Sequence, residues 1–311
     1  DKTIAAGAND VAQAYSYMAL AGYNARQMAA ALPGVLNLAT AAEMDLGTAT
    51  DMVTDYLSAF GLECKDSSHM VDLMAYAQAN SNTSAEQLGE AWGNSAANLH
   101  AAGQSAETVT AILEALANQG DKSSSAGVKL GATMRDITSK MQDGKIAIGD
   151  TTIAVQDSQG NFRDLIAILA DVEGAVDGMG NAQRAAALSS VFTDDSIKAV
   201  NMTLTEGMDK IAGYKTELEN CDGAAAKMAS TMKDNLQGDM QGLDSALEGL
   251  GIAAYQYVDG PLRSVVSGVT DIITGITDAL TPQTIAIQEF IGTVKAAAKE
   301  VENLTDTAAS D

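Results

Sequence analysis

The chain reads as a mainly α protein: a multi-helix domain of short amphipathic helices with a small β-hairpin insertion, followed by longer helices. Three observations predict this. Apolar residues recur every three to four positions over most of the length, the signature of helices that bury one face. Proline occurs only at positions 33, 261 and 282 of 311 residues. Because proline inside a helix costs about 3 kcal/mol, long helices are permitted between these points. Aromatic content is 4%, so alanine, leucine and methionine must do most of the packing, which favours close helix–helix contact over a bulky sheet core.

The helical stripes follow one another from the start of the chain. Val11, Tyr15 and Met18 form the first; Met52, Val53, Tyr56, Leu57 and Phe60 another; then Met70, Leu73, Met74 and Ala77; then Val109, Ile112, Leu113 and Leu116. Asn9, Asn24, Thr48, Ser67, Thr83 and Ser105 precede stripes and are expected as N-caps, since their side chains can accept an orphan amide hydrogen bond. Gly22, Gly61, Gly103 and Gly120 are expected as stops, because glycine takes the left-handed conformation at little cost. Gly47–Leu57 and Gly103–Leu113 also echo each other, each reading as a capped start with Val-Thr at the same offset.

Ile146–Ile148 and Thr152–Val155 flank Gly149-Asp150-Thr151 and predict a hairpin near 146–155. A lone hairpin is marginal in water, so it must pack on helices or pair with another chain. Asp157–Asn161 is turn chemistry, after which Phe162, Leu165, Ile166 and Leu169 predict a helix. Asn181 is placed to cap a further helix over 182–192.

Residues 1–201 are therefore expected as one helical domain carrying the hairpin, and 202–311 as an extended or loosely packed helical segment with a polar tail. Gly207, Gly213, Gly223, Gly238, Gly242 and Gly249 interrupt the stripe that follows Thr205. Each lowers helix stability by about 1 kcal/mol relative to alanine, so this stretch is expected to be bent or marginal without a partner. A sustained apolar stripe returns at 265–280. Its residues Val265, Val269, Ile272, Ile273 and Ile276 are the candidate partner-binding surface; the same stripe also fits an internal core face. The polar tail is Asn303–Asp311.

Composition narrows function. With 18 basic against 41 acidic residues the net charge is −23, which argues against nucleic-acid binding: that surface needs clustered Lys and Arg. Cys64 and Cys221 are too few for a disulfide scaffold and are expected as free thiols. No run of about 18 uncharged apolar residues occurs, so no membrane span is expected. Asp1 rather than Met begins the chain, which reads as a piece of a longer protein.

Chemistry-bearing motifs are sparse, and no catalytic, cofactor or metal site is expected. His69 and His100 are the only histidines. Cys64 and His69, five apart, form no ligand set with a second pair and fit a buried thiol and a surface histidine better. Asp143-Gly144-Lys145 ends like a phosphate loop but has Ser139 where the upstream glycine belongs. Asp157–Asn161 lacks the alternating oxygens and closing glutamate of a calcium loop. Asp194-Asp195 could in principle pair as glycosidase carboxylates, but Asp194 also reads as a helix cap.

Four segments resemble, in order, the core region of phage tail tape measure proteins, the minor tail proteins of long-tailed phages. They are Leu32–Ala39; Ala79–Ser84 with Glu86–Ala91; Leu113–Gly120 with Ser125–Leu130; and Val155–Val172. Together they cover roughly residues 8–201. The resemblance implies a structural virion protein that sets tail length and occupies the tail-tube lumen, found in the virion tail and, during assembly, in the host cytoplasm. It implies as partners the tail-tube protein, tail assembly chaperones and distal-tail or baseplate proteins, with self-association also open. The alternative is a helical interaction scaffold of cellular origin with no ruler role.

Overall fold

The computed structural model describes residues 8–233. Twelve helices and one hairpin lie in this stretch. The helices are α1 (Ala8–Leu20), α2 (Ala25–Ala41), α3 (Leu46–Ala59), α4 (Ser67–Asn80), α5 (Ala85–Ala101), α6 (Ala106–Asn118) and α7 (Ser123–Lys140). After the hairpin strands β1 (Lys145–Ile148) and β2 (Thr151–Ala154) come α8 (Leu165–Val176), α9 (Asn181–Ser189), α10 (Ser196–Glu206), α11 (Met208–Leu218) and α12 (Ala224–Lys233). The fold is mainly α with a small hairpin, as the periodicity predicts.

All four expected stops are real and alike. Gly22, Gly61, Gly103 and Gly120 have φ between 63 and 88°. In each case the next amide reaches back five residues: Tyr23 to Met18, Leu62 to Leu57, Gln104 to Leu99 and Asp121 to Leu116, at 2.8–3.0 Å. This is the Schellman arrangement, in which a left-handed residue lets the chain satisfy the last carbonyls. Helix α2 ends the same way, with Met44 N–H on Ala39 O at 3.0 Å, but its left-handed residue is Glu43 at φ 54°.

The starts were only partly legible. Asn24 and Ser105 cap as expected. Asn9 lies inside α1. Thr48 is displaced because Asp45 caps a helix that begins sooner, its carboxylate accepting the Thr48 amide at 2.8 Å. Ser67 is already helical, with Asp66 before it. Ser84, not Thr83, caps α5, and Gln87 reaches back to the Ser84 amide. The Gly47 and Gly103 echo also dissolves: Ser105 caps α6, whereas its counterpart Ala49 lies within α3, behind the Asp45 cap.

Helix α2 runs through Pro33, where the sequence suggests a break. Tertiary packing overrides the local cost: Gly34 sits against α4, with Ser68 Cα and Val71 Cγ2 each 3.9 Å from where its Cβ would be. The closest helix pair is α5 on α7. At Gly127 a Cβ would stand 2.1 Å from the Ala91 carbonyl oxygen, so the two backbones meet where only glycine fits.

Helix α6 lies at the centre, against α4, α5, α7, α8, α10 and α11. The sequence predicts one buried stripe; the structure buries Thr108, Thr110 and Glu114 as well. A helix covered on all sides is a core helix. Trp92 of α5 anchors the neighbouring core, with Tyr56 and Phe60 edge-on at 5.4 and 5.6 Å between ring centres.

The hairpin pairs Ile148 with Thr151 and Ile146 with Ile153, so Thr151 is in the strand and the turn is Gly149-Asp150, with Gly149 at φ 58°. Ile146, Ile148, Ile153 and Val155 are buried, and both strands pack on α8. Phe162 bridges to Gln156 instead of starting the next helix; Asp164 caps that helix, which begins at Leu165. Asn181 is the first residue of α9 rather than its cap, and the helix stops at Ser189. Position 201, where the sequence suggests a boundary, falls inside α10. Beyond it, α11 packs on α6, α8 and α4, and α12 on α2 and α4.

Candidate functional site

The candidate partner-binding residues Val265, Val269, Ile272, Ile273 and Ile276 lie outside the described residues. Within 8–233, a grouping of ionisable side chains lies where α11 and α12 meet the body.

Helix α4 presents His69, Asp72 and Tyr76, spaced by three and four and therefore on one face. Helix α6 presents Glu107 and Glu114, seven apart and likewise on one face. His69 stands between two carboxylates: Nε2 is 2.9 Å from Glu107 Oε1 and Nδ1 3.1 Å from Asp222 Oδ1. The bond to Glu107 holds the imidazole up at about 9, against the opposing effect of burial and with help from Asp222. The same bond draws Glu107 down to about 2. Asp72 accepts the amides of Gly223 and Ala225 at 2.8 and 2.9 Å, so α4 caps α12. Tyr76 donates to Glu217 at 3.1 Å.

Glu114 differs from these. It is 2% exposed and its Oε1 has no hydrogen-bond partner. Burial, and then the nearby charge of Glu217, pushes it up to about 8. Desolvation penalises only the charged form, so Glu114 is protonated at neutral pH. Cys221 is 4% exposed and is pushed up to about 12 by burial and then by Asp72.

A second junction lies at the start of α8. Asp164 accepts Thr108 Oγ1 at 2.6 Å, Lys215 Nζ at 2.8 Å and the Ile166 amide at 2.9 Å. Burial raises this carboxyl, but the Lys215 and Thr108 bonds outweigh it and hold it below its ordinary range. Gln104, 2% exposed, completes the joint by accepting the Leu165 amide and donating to the Arg163 carbonyl. Farther along, Glu206 accepts Lys210, Tyr214 and Gln119.

The motifs singled out for chemistry resolve as turns and ties. Asp143-Gly144 is a reverse turn, both residues at positive φ, closed by Gln142 and Lys145. Asp157 accepts the amides of Gln159 and Asn161 at 2.8 and 2.9 Å and so turns the chain on itself. Cys64 and His69 are not paired: the Cys64 thiol points toward Gln27 O at 3.6 Å. Asp194 and Asp195 are both exposed, and the start of α10, which Asp194 was expected to cap, is held instead by Asp136, which accepts Thr193 N–H, Thr193 Oγ and Ser196 Oγ. Among the described residues no group of three or more His, Cys, Asp or Glu could hold a metal ion, and no helix is long and apolar enough to cross a membrane. The arrangement binds chain to chain; its chemistry is charge pairing and capping.

Sequence reasoning missed this seam because its members lie up to 153 positions apart. One signal was available: His69, Asp72 and Tyr76 lie at helical spacing among the apolar Met70, Val71, Leu73, Met74, Ala75 and Ala77 of α4.

Comparison with known proteins places the chain. The sequence model described as phage-related minor tail protein matches residues 2–193. A "Tape measure protein" of Pneumococcus phage Dp-1 is 28% identical over 265 residues, 85% of this chain and 23% of its own length. A "Probable tape measure protein" of Escherichia phage P2 is 26% identical over 273 residues, 86% of this chain and 33% of its own length. The chain thus spans 23% and 33% of the lengths of these two curated relatives. No solved structure matches it significantly.

Proposed function

The chain belongs to the phage-related minor tail protein family, and on that premise we propose that it is a folded segment of a tail tape measure protein, one that helps set tail length and occupies the tail-tube lumen during assembly. The observation that carries this reading is a match to two tape measure proteins over more than four-fifths of the chain. It favours a structural role in the tail over a cellular scaffold and over catalysis.

The physical logic is templating. A helix rises about 1.5 Å per residue, so a long helical chain can be covered by tube subunits until it ends. Residues 8–233 are a packed cluster of short helices rather than a shaft, which supports a folded node within a longer rod. Its partners on this reading are the tail-tube protein, tail assembly chaperones and distal-tail or baseplate proteins, met first in the host cytoplasm and then in the virion tail. The stripe of Val265, Val269, Ile272, Ile273 and Ile276 is the proposed contact surface, for a tail partner or a second copy.

The test is to remove in-frame blocks of different length from the parent gene and measure tails by electron microscopy. Tails that shorten in proportion to the residues removed support the ruler role. Tails of unchanged length refute it.

A further inference from the structure

Helices α10 and α11 are separated by one residue. Gly207 has φ 92° and ψ 128°, a conformation available almost only to glycine. Nothing lies within 4 Å of the place its Cβ would occupy. The Met208 amide, freed by the break, finds Glu173 Oε1 at 3.3 Å. Gly207 is thus the single-residue joint between α10 and α11.

Residues 208–233 are held to the body by both apolar and polar contacts. Helix α12 buries Ala225 and Ala229, side chains that remove little apolar area from water. Helix α11 contributes Met208, Ile211 and Leu218. The polar attachments include the seam, with His69 to Asp222, Asp72 to the N-terminus of α12, Tyr76 to Glu217 and Lys215 to Asp164, together with Asn118 to Tyr214 and the Lys210 and Tyr214 bonds to Glu206.

Geometry fixes the protonation this seam requires. Both ring nitrogens of His69 face carboxylate oxygens. A neutral imidazole donates only one hydrogen bond, so the second contact would set a lone pair against a carboxylate. Glu114 is buried beneath α11 with an unpartnered oxygen, a place where a charged carboxylate would be both desolvated and unpaired. Facing these groups are Glu107 from α6, Asp72, Tyr76, Glu217, Cys221 and Asp222 from α4 and the α11–α12 segment, and Asp164 from the α8 cap. The neighbouring cation is Lys215, itself committed to Asp164. Two protons therefore separate a balanced seam from a repulsive one.

We propose that residues 208–233 form a strap that pivots at Gly207 and lifts from the body as a unit when the seam beneath it gives up its protons, leaving the α5–α7 core folded. Docked, Glu114 keeps its proton to about 8 instead of 4.5 and His69 to about 9 instead of 6.5, so docking weakens as pH rises through these two intervals and is weakest above about 9. The strap is a property of the fold and stands independently of the ruler role.

Cys221, a residue of the strap that is buried in the docked state, is the reporter. In the full chain carrying Cys64→Ser, alkylation of Cys221 is measured from pH 7 to 9.5 against the same chain in denaturant at each pH, alongside amide exchange of α5–α7. Protection of Cys221 is expected to fall at least tenfold while α5–α7 stays protected. Glu114→Gln, which cannot ionise, should retain part of that protection at pH 9.5. Unchanged protection of Cys221 across the range, or its loss only in step with α5–α7, overturns the proposal. So does a Glu114→Gln profile identical to that of the parent.

Discussion

Asp72 caps a helix 152 positions further along the chain: its carboxylate accepts the amides of Gly223 and Ala225, the latter a first-turn residue of α12, at 2.8 and 2.9 Å. The cap is supplied from α4, so it couples the stability of α12 to its docking. Asp72→Ala should destabilise the protein by about 1 kcal/mol, the usual worth of a helix cap. Urea denaturation measures the loss, and amide exchange should localise it to 223–233. Unaltered exchange there would remove the capping role.

Gly127 and Gly174 give opposite outcomes for one chemical change. At Gly127 the added methyl would meet the Ala91 carbonyl oxygen at 2.1 Å, whereas Gly174 of α8 has nothing within 4 Å. Gly127→Ala should cost about 1–3 kcal/mol as α5 and α7 are forced apart. Gly174→Ala should add about 0.5–1 kcal/mol of helix stability. Thermal unfolding of both variants against the parent is the check; a stabilised Gly127→Ala would contradict the close crossing.

Glu114 makes stability depend on pH. Its folded-state value of about 8 lies above the ordinary 4.5. Between those values the unfolded chain is ionised there and the folded chain keeps its proton, so stability falls as pH rises from about 4.5 to about 8. Glu114→Gln removes this term. The variant should be more stable than the parent at pH 8 and comparable at pH 4, as read from urea midpoints. A difference that is the same at both pH values would show that burial of the carboxyl is not its source.

Glu43 occupies the left-handed position that glycine fills at the four other Schellman stops. A side chain there carries a steric cost that glycine avoids. Glu43→Gly should therefore stabilise the protein by roughly 0.5–1 kcal/mol, less the greater chain entropy of glycine when unfolded. A lower thermal midpoint for this variant would mean that the Glu43 side chain makes a compensating contact.

Local chemistry carried much of the fold into the sequence. The four glycine stops, the Asn24 and Ser105 caps, the hairpin and the Asp157 turn were all legible, because each is decided within five or six residues by backbone sterics and nearby hydrogen bonds. Family membership was legible for a related reason: the ordered motifs between 32 and 172 are local in sequence. The misjudged starts at Thr48 and Thr83 were displaced by three positions and one, since the neighbouring Asp45 and Ser84 compete for the same orphan amides; at Asn181 the cap position falls one residue earlier, on Gly180, with no side-chain bond.

The sequence by itself determined that this protein is mainly helical, where α1, α3, α5 and α6 end and that its net charge is strongly acidic. Tertiary structure alone decided that α6 is buried all round, that α2 continues through Pro33, and that α10 and α12 are held at their starts by Asp136 and Asp72 of other helices. It also decided that His69 and Glu114 keep protons they would lose in water near neutral pH. The physical reason is common to all of these. Burial, close backbone approach and charge pairing depend on which groups meet in space, and the partners involved are separated by dozens of residues along the chain.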